Sequence, residues 1–160
     1  MNKPIPVSLL RHPIHFFSLG FGAGLSPYMP GTLGTLVAIP IYLLIAHLPL
    51  ITYSEIIMVG FILGVYFCHL TSEKLGVHDH PGIVWDEVIG FLITMIAVPA
   101  PNWYWITAGF VLFRFFDIVK PWPVTFADKR LSGGFGIMFD DVLAGIYAFT
   151  CIQLLNYYLK

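Results

Sequence analysis

Asp86-Glu87 and Asp140-Asp141 are adjacent acidic pairs in a chain with nine acidic residues among 160, and Asp117 lies between them. Each pair stands where an apolar run begins. Carboxylates at the head of a helix can simply cap it, because they accept from unpaired N–H groups and suit the positive end of the dipole. Two pairs opening two helices on one side go beyond that need. Asp117 points the same way, since it falls toward the end of an apolar run, where the dipole disfavours a negative charge. Gathered at one depth, such groups repel, by about 1 kcal/mol per pair at 4 Å in water and several times more at lower effective dielectric. They would then hold protons or recruit a cation. An all-oxygen set without His or Cys suits a hard ion, so Mg2+ is expected on Asp86, Glu87, Asp140 and Asp141.

Arg114, Asp117 and Lys120 recur at a spacing of three, which places neighbouring members on one helical face. A local ladder of ion pairs would explain that spacing. Yet an arginine within an apolar helix costs about 2.5–3.5 kcal/mol on insertion scales, so Arg114 needs a buried partner or a task. A guanidinium and an ammonium flanking a carboxylate suit a phosphate dianion.

Glycine-rich stretches lead into two of the apolar runs: GFGAGLSPYMPGTLG at 20–34 and Gly133-Gly134-Phe135-Gly136. Glycine lets the backbone approach a ligand, and a helix N-terminus offers N–H groups to phosphate. Gly31, Thr32 and Thr35 are the phosphate-binding candidates; the threonines would serve equally as caps, and the glycines as close helix contacts. His78-Asp79-His80 could bind metal or move protons, or be a solvated loop.

The elements that must position these groups follow from composition. The chain is 58% hydrophobic and only 11% charged, with mean hydropathy +0.81, against about 25% charged in soluble domains. A water-soluble fold of this size could not hide so much apolar surface. A single all-α domain over 1–160 is expected, a polytopic membrane bundle of about five hydrophobic helices with cytoplasmic catalytic loops and an N-terminal tail at 1–13. The runs are Thr32–Leu50, Glu55–Leu70, Trp85–Val98, Trp103–Val119 and Asp141–Leu159. The third is short for about 30 Å of hydrocarbon. Polar loops are expected at Thr71–Val84 and Lys120–Asp140, and Ile14–Leu25 lies along the surface or dips in.

Alternating crossings put Lys3, Arg11, Lys74, Arg114, Lys120, Lys129 and Arg130 toward one face and Lys160 alone toward the other, so the crowded face is cytoplasmic. The lipid bilayer is therefore a partner. A net charge of -1 leaves no basic surplus for nucleic acid, and no oligomeric state follows from the residues. Cys68 and Cys151 sit inside apolar runs and read as inert thiols. No cleavable leader is apparent in a start broken by Pro4, Pro6 and Pro13. The Cys-x5-Arg and Asp-x-Asp phosphatase signatures are absent, as are Ser-Gly-His and the Asp-Gly-x2-Ala-Arg signature of head-group transferases.

Four blocks, GFGAGLSPYMPGTLGTL (20–36), GVHDHPGIVWDEVIGF (76–91), FRFFDIVKPWPV (113–124) and GGFGIMFDDVLAG (133–145), resemble the phosphatidylglycerophosphatase A family in sequence and order. The resemblance implies a magnesium-dependent lipid phosphatase of the bacterial inner membrane. Its reaction would convert phosphatidylglycerophosphate and water to phosphatidylglycerol and phosphate, with the site open to the inner leaflet. Arg114 and Lys120 would neutralise phosphoryl charge, and Asp117 would be a further ligand or the base. Alternatives are a phosphatase for another lipid phosphomonoester and a small ion-coupled transporter. The transporter expects charges near the bilayer midplane, whereas here they gather at one edge.

Overall fold

The computed structural model describes residues 5–77 and 80–159, without the side chains of 127–129. Lys3, His78, Asp79, Lys160 and the side chain of Lys129, which entered the charge and motif readings, lie outside the described residues. Among the described residues the fold is all helix. Its α-helices are α1 (Pro13–Ser18), α2 (Pro30–Ile45), α3 (Leu50–Leu75), α4 (Trp85–Thr94), α5 (Trp103–Val119), α6 (Val124–Arg130) and α7 (Gly133–Tyr158). Short 3-10 turns at Val7–Arg11 and Gly20–Leu25 flank α1.

All five expected helices exist, but their ends differ from the expectation. The second run extends at both ends to become the 26-residue α3. The third stops after ten residues at Thr94, and Ala97 in the turn beyond takes a positive φ of 53°. The segment expected as a loop at Lys120–Asp140 contains α6 and the first two turns of α7. Two helices, α3 and α7, are long and apolar enough to cross a membrane; α2 is apolar but shorter.

The largest revision concerns the start of α7. Glycine is a poor helix former, and the Gly133–Gly136 stretch therefore reads as a lead-in loop. Packing overrides that preference: a side chain at Gly134 would run into the Val65 carbonyl and His69 of α3. The helix thus begins at Gly133, and Asp140 and Asp141 do not open it. They lie two turns inside, so capping cannot account for them.

Helix α7 is the centre of the bundle, packed against α3, α4, α5 and α6. Its buried face includes Ile152 and Ile137, Met138, Ala144 and Ala148, which share one core with Val88, Phe91 and Leu92 of α4 and Phe113 of α5. α4 and α7 run parallel and cross at Gly90 and Gly145. A Cβ at Gly145 would lie 2.5 Å from the Gly90 carbonyl oxygen, so no larger residue fits without separating the helices. Thr94 seals the crossing, its hydroxyl donating to the Gly90 carbonyl at 3.0 Å. α5 starts on Asn102, whose side chain accepts from the Trp105 amide at 3.1 Å, a regular N-cap. α1 is tied to α3 by the 2.9 Å His15–Thr71 hydrogen bond. Partial burial and the nearby His12 and Lys74 lower the His15 pKa.

α3 lies at the edge and leaves an apolar face uncovered, with Ile51, Met58 and Ile62 each at least 60% exposed. Helices α2 and α5 likewise show Leu44, Val111, Phe115 and Ile118 outward.

Candidate active site

The Gly90–Gly145 crossing sets the site. One turn before Gly90 stands Asp86, and one turn before Gly145 stands Asp141, so close backbone contact brings their carboxylates together. Asp86, Glu87 and Asp141 each offer an oxygen within 4.8 Å of the others, a grouping able to hold a metal ion. Asp86 is 8% and Asp141 3% exposed. Asp141 Oδ2 and Glu87 Oε2 are buried without a hydrogen-bond partner among the described residues. Buried polar atoms are nearly always satisfied, and two orphaned carboxylate oxygens within one acidic cluster leave acceptor capacity that a cation could take up. The donor set is all oxygen, which fits Mg2+.

The end of α5 supplies the positive charge. Arg114 is 16% exposed and pairs with Asp117 at 2.5 Å and with Glu87 at 3.8 Å. Asp117 also borders the same cleft as Asp141. Lys120 is the C-cap of α5 and reaches α7, where its ammonium pairs with Asp140. Asp140 therefore faces Lys120 while Asp141, one residue on, faces the acidic group; adjacent residues on a helix point about 100° apart. The four expected metal ligands thus divide: Asp86, Glu87 and Asp141 cluster, and Asp140 carries an ammonium.

The beginning of α2 closes the site. A Cβ on Gly31 would collide with Glu87 Oε1 and come within 3.0 Å of an Arg114 nitrogen, so glycine here lets the backbone touch the Glu87–Arg114 pair. Thr35 is buried and donates its hydroxyl to the Gly31 carbonyl at 2.9 Å. Neither Thr35 nor Thr32 borders the cleft; of the three phosphate-binding candidates Gly31 alone does. His80 is buried and accepts from the Gly82 amide at 3.1 Å.

Gly31, Arg114, Lys120 and the carboxylates of Asp86, Glu87, Asp117, Asp140 and Asp141 line one cleft of about 370 Å³, together with Met29, Pro30, Pro81, Ile83 and Ile118. Arg114 and Asp117 stand on α5, as expected, with Lys120 on its C-cap; Asp140 and Asp141, expected to open a helix, lie inside α7. Two residues at the rim, Met29 (φ 47°) and Lys120 (φ 44°), occupy the left-handed region without being glycine. Such strain persists only where surrounding structure enforces it, and it concentrates at working sites. Sequence reading missed the apolar rim and the crossing glycines; small residues facing each other on α4 and α7 were the available signal.

Carboxylates and two cations converging on one cleft, positioned by packed helices and a helix cap, are the groups that a site for phosphoryl transfer would need. The sequence profile of the family described as phosphatidylglycerophosphatase A matches residues 16–156. Phosphatidylglycerophosphatase A of Escherichia coli is 46% identical over 159 residues, covering 98% of this chain and 92% of that protein. The Haemophilus influenzae protein of the same name is 43% identical, covering 99% and 98%. A Bacteroides thetaiotaomicron protein named as a candidate phosphatidylinositol-3-phosphatase is 40% identical over 141 residues, covering 84% and 88%. No solved structure matches the chain significantly. The chain belongs to the phosphatidylglycerophosphatase A family and is a phosphatase.

Proposed function

We propose that the protein hydrolyses phosphatidylglycerophosphate to phosphatidylglycerol and phosphate, with Mg2+ as cofactor, as a multi-pass protein of the bacterial inner membrane. What carries this reading is the seating of Arg114 and Lys120 beside the largely buried acids Asp86, Glu87 and Asp141, in a chain similar over nearly its whole length to enzymes bearing that name.

Asp86, Glu87 and Asp141 would hold Mg2+, which when bound supplies charge neutralisation and polarisation of the phosphoryl oxygens. Every other role falls to the chain itself. Arg114 presents a fork of N–H donors to the phosphate oxygens, and Lys120 adds a point charge. Both lie mostly out of water, where such charges act more strongly on a phosphoryl group that gains little from covalent help. Asp117 Oδ2 touches Arg114 and is the group suited to take a proton from the attacking water. The Gly31 backbone at the head of α2 completes the anion side.

The membrane reading rests on the uncovered apolar faces. α3 and α7, at 26 residues each, are about 39 Å long, enough for a hydrocarbon core of about 30 Å. Exposed aromatic residues gather at both ends of the bundle: Tyr28 and Trp122 beside the cleft, and Trp103, Tyr104, Tyr157 and Tyr158 at the opposite end. Belts of this kind mark the two interfaces. The lysine and arginine bias of the sequence supports a cytoplasmic position for the cleft. A C-terminal reporter that is active only in the cytoplasm would contradict that orientation.

A second reading, hydrolysis of another lipid phosphomonoester, is favoured by the name of the Bacteroides relative. Phosphate release by purified protein from phosphatidylglycerophosphate, phosphatidate and phosphatidylinositol 3-phosphate, with Mg2+ and with chelator, separates the two. Preference for phosphatidylglycerophosphate of at least about tenfold in kcat/KM is expected. Equal or greater turnover of another lipid, or turnover indifferent to chelator, would sink the corresponding part.

A further inference from the structure

The polar cleft has an apolar lip. Met29 and Ile118 both line it, yet they are 68% and 67% exposed. They stand at one mouth, because Gly31, two residues after Met29, lies against Arg114, four residues before Ile118. From Ile118 the exposed apolar surface continues along α5. Phe115 and Val111 follow at 54% and 57% exposure, and spacings of three and four put all three on one side of the helix. Arg114 and Asp117 lie beside this stripe in sequence and turn inward to the acids.

Building on the lipid-phosphatase reading, we propose that this stripe is the path of the substrate's acyl chains. A lipid phosphomonoester enters sideways between the start of α2 and the end of α5. Its phosphate reaches Arg114 and Lys120 while its chains leave over Ile118 and run along Phe115 and Val111. Seven residues of helix give this path a length of about 10 Å. It makes Ile118 and Phe115 determinants of specificity for lipid-borne phosphate over its water-soluble counterpart. Continuity with the charged cleft distinguishes this surface from the other apolar hollow, of about 390 Å³, between α3 and α7. That hollow takes Phe135, Phe139 and Val142 from a different side of α7 than Asp141, and none of its lining residues is charged.

The test compares phosphatidylglycerophosphate carrying two oleoyl chains, in detergent micelles, with the same head group carrying two hexanoyl chains, as soluble monomer. Phe115→Ala and the more disruptive Ile118→Ser are measured beside Met58→Ala, an exposed apolar position on α3. Phe115→Ala should raise KM for the long-chain lipid at least about fivefold, leave kcat alone and change short-chain hydrolysis less than about twofold; Ile118→Ser should act in the same direction. Met58→Ala should leave the ratio of the two substrates unchanged. Equal effects on both substrates, no effect on either, or the same selective loss in Met58→Ala would overturn the acyl path while leaving the phosphatase reading intact. Wild-type protein inactive on both lipids would instead overturn the phosphatase reading, and the path with it.

Discussion

Arg114 and Asp117, one turn apart near the end of α5, meet at 2.5 Å with only 16% and 13% of their side chains exposed. The guanidinium also faces Glu87 of α4, so one arginine joins the two helices. Breaking such a largely buried pair from one side leaves a charge only partly compensated by water, where a fully buried pair would cost about 3–5 kcal/mol. The arrangement therefore has a structural duty as well as a chemical one.

Arg114→Lys keeps the charge but removes the planar fork. We expect kcat to fall about 100-fold or more with the protein still extracted folded from the membrane, because two-oxygen recognition of phosphate is lost. Steady-state kinetics beside a thermal melt measure both. Retention of more than half the activity would show that Arg114 is only an ion-pair partner.

Gly31→Ala places a methyl group against Glu87 Oε1 and Arg114. The helix itself would tolerate alanine well, so a loss of activity without loss of helix isolates the close approach. The expected outcome is a fall in kcat/KM of at least about tenfold, equivalent to about 1.4 kcal/mol, with unchanged circular dichroism. Wild-type activity would mean that α2 can shift aside freely.

Asp86→Asn, Asp117→Asn and Asp141→Asn should each cut turnover by about 100-fold or more. They differ in a second readout. Mg2+ should raise the melting temperature of the wild type, because an ion that binds only the folded state stabilises it. That increase should vanish in Asp141→Asn and Asp86→Asn and persist in Asp117→Asn if Asp117 acts on the water. Equal Mg2+ stabilisation of all three variants would remove the metal from this cluster.

Lys120 and Asp140 form a contact between the cap of α5 and α7. Lys120→Met and Asp140→Asn should each impair activity, and the double variant should be less impaired than the product of the two losses. Groups in contact show coupling of about 0.5–3 kcal/mol. Strict additivity would instead favour Asp140 as an independent ligand, its role as read from the sequence.

The residues that would do the chemistry were open to reading because charge is costly in apolar helices. In a chain with so few charges, each one left inside or beside an apolar run stands out, and Asp86, Glu87, Arg114, Asp117, Lys120, Asp140 and Asp141 all border the cleft. The helical class and the five main helices followed from the same hydropathy. Helix ends were less legible. Glycines at 133–136 carry local signals for a loop, while the contact of Gly134 with α3 makes them helix.

Local residue preferences by themselves settled which groups are out of place in an apolar setting, and hence what this protein had to explain. Only the three-dimensional packing decided how those groups divide. The absent side chains at Gly90 and Gly145 let two backbones touch, which brought Asp141 to Asp86 and Glu87 and left Asp140 for Lys120. Neither glycine is remarkable in one dimension, because the space each leaves open has meaning only once the other helix fills it.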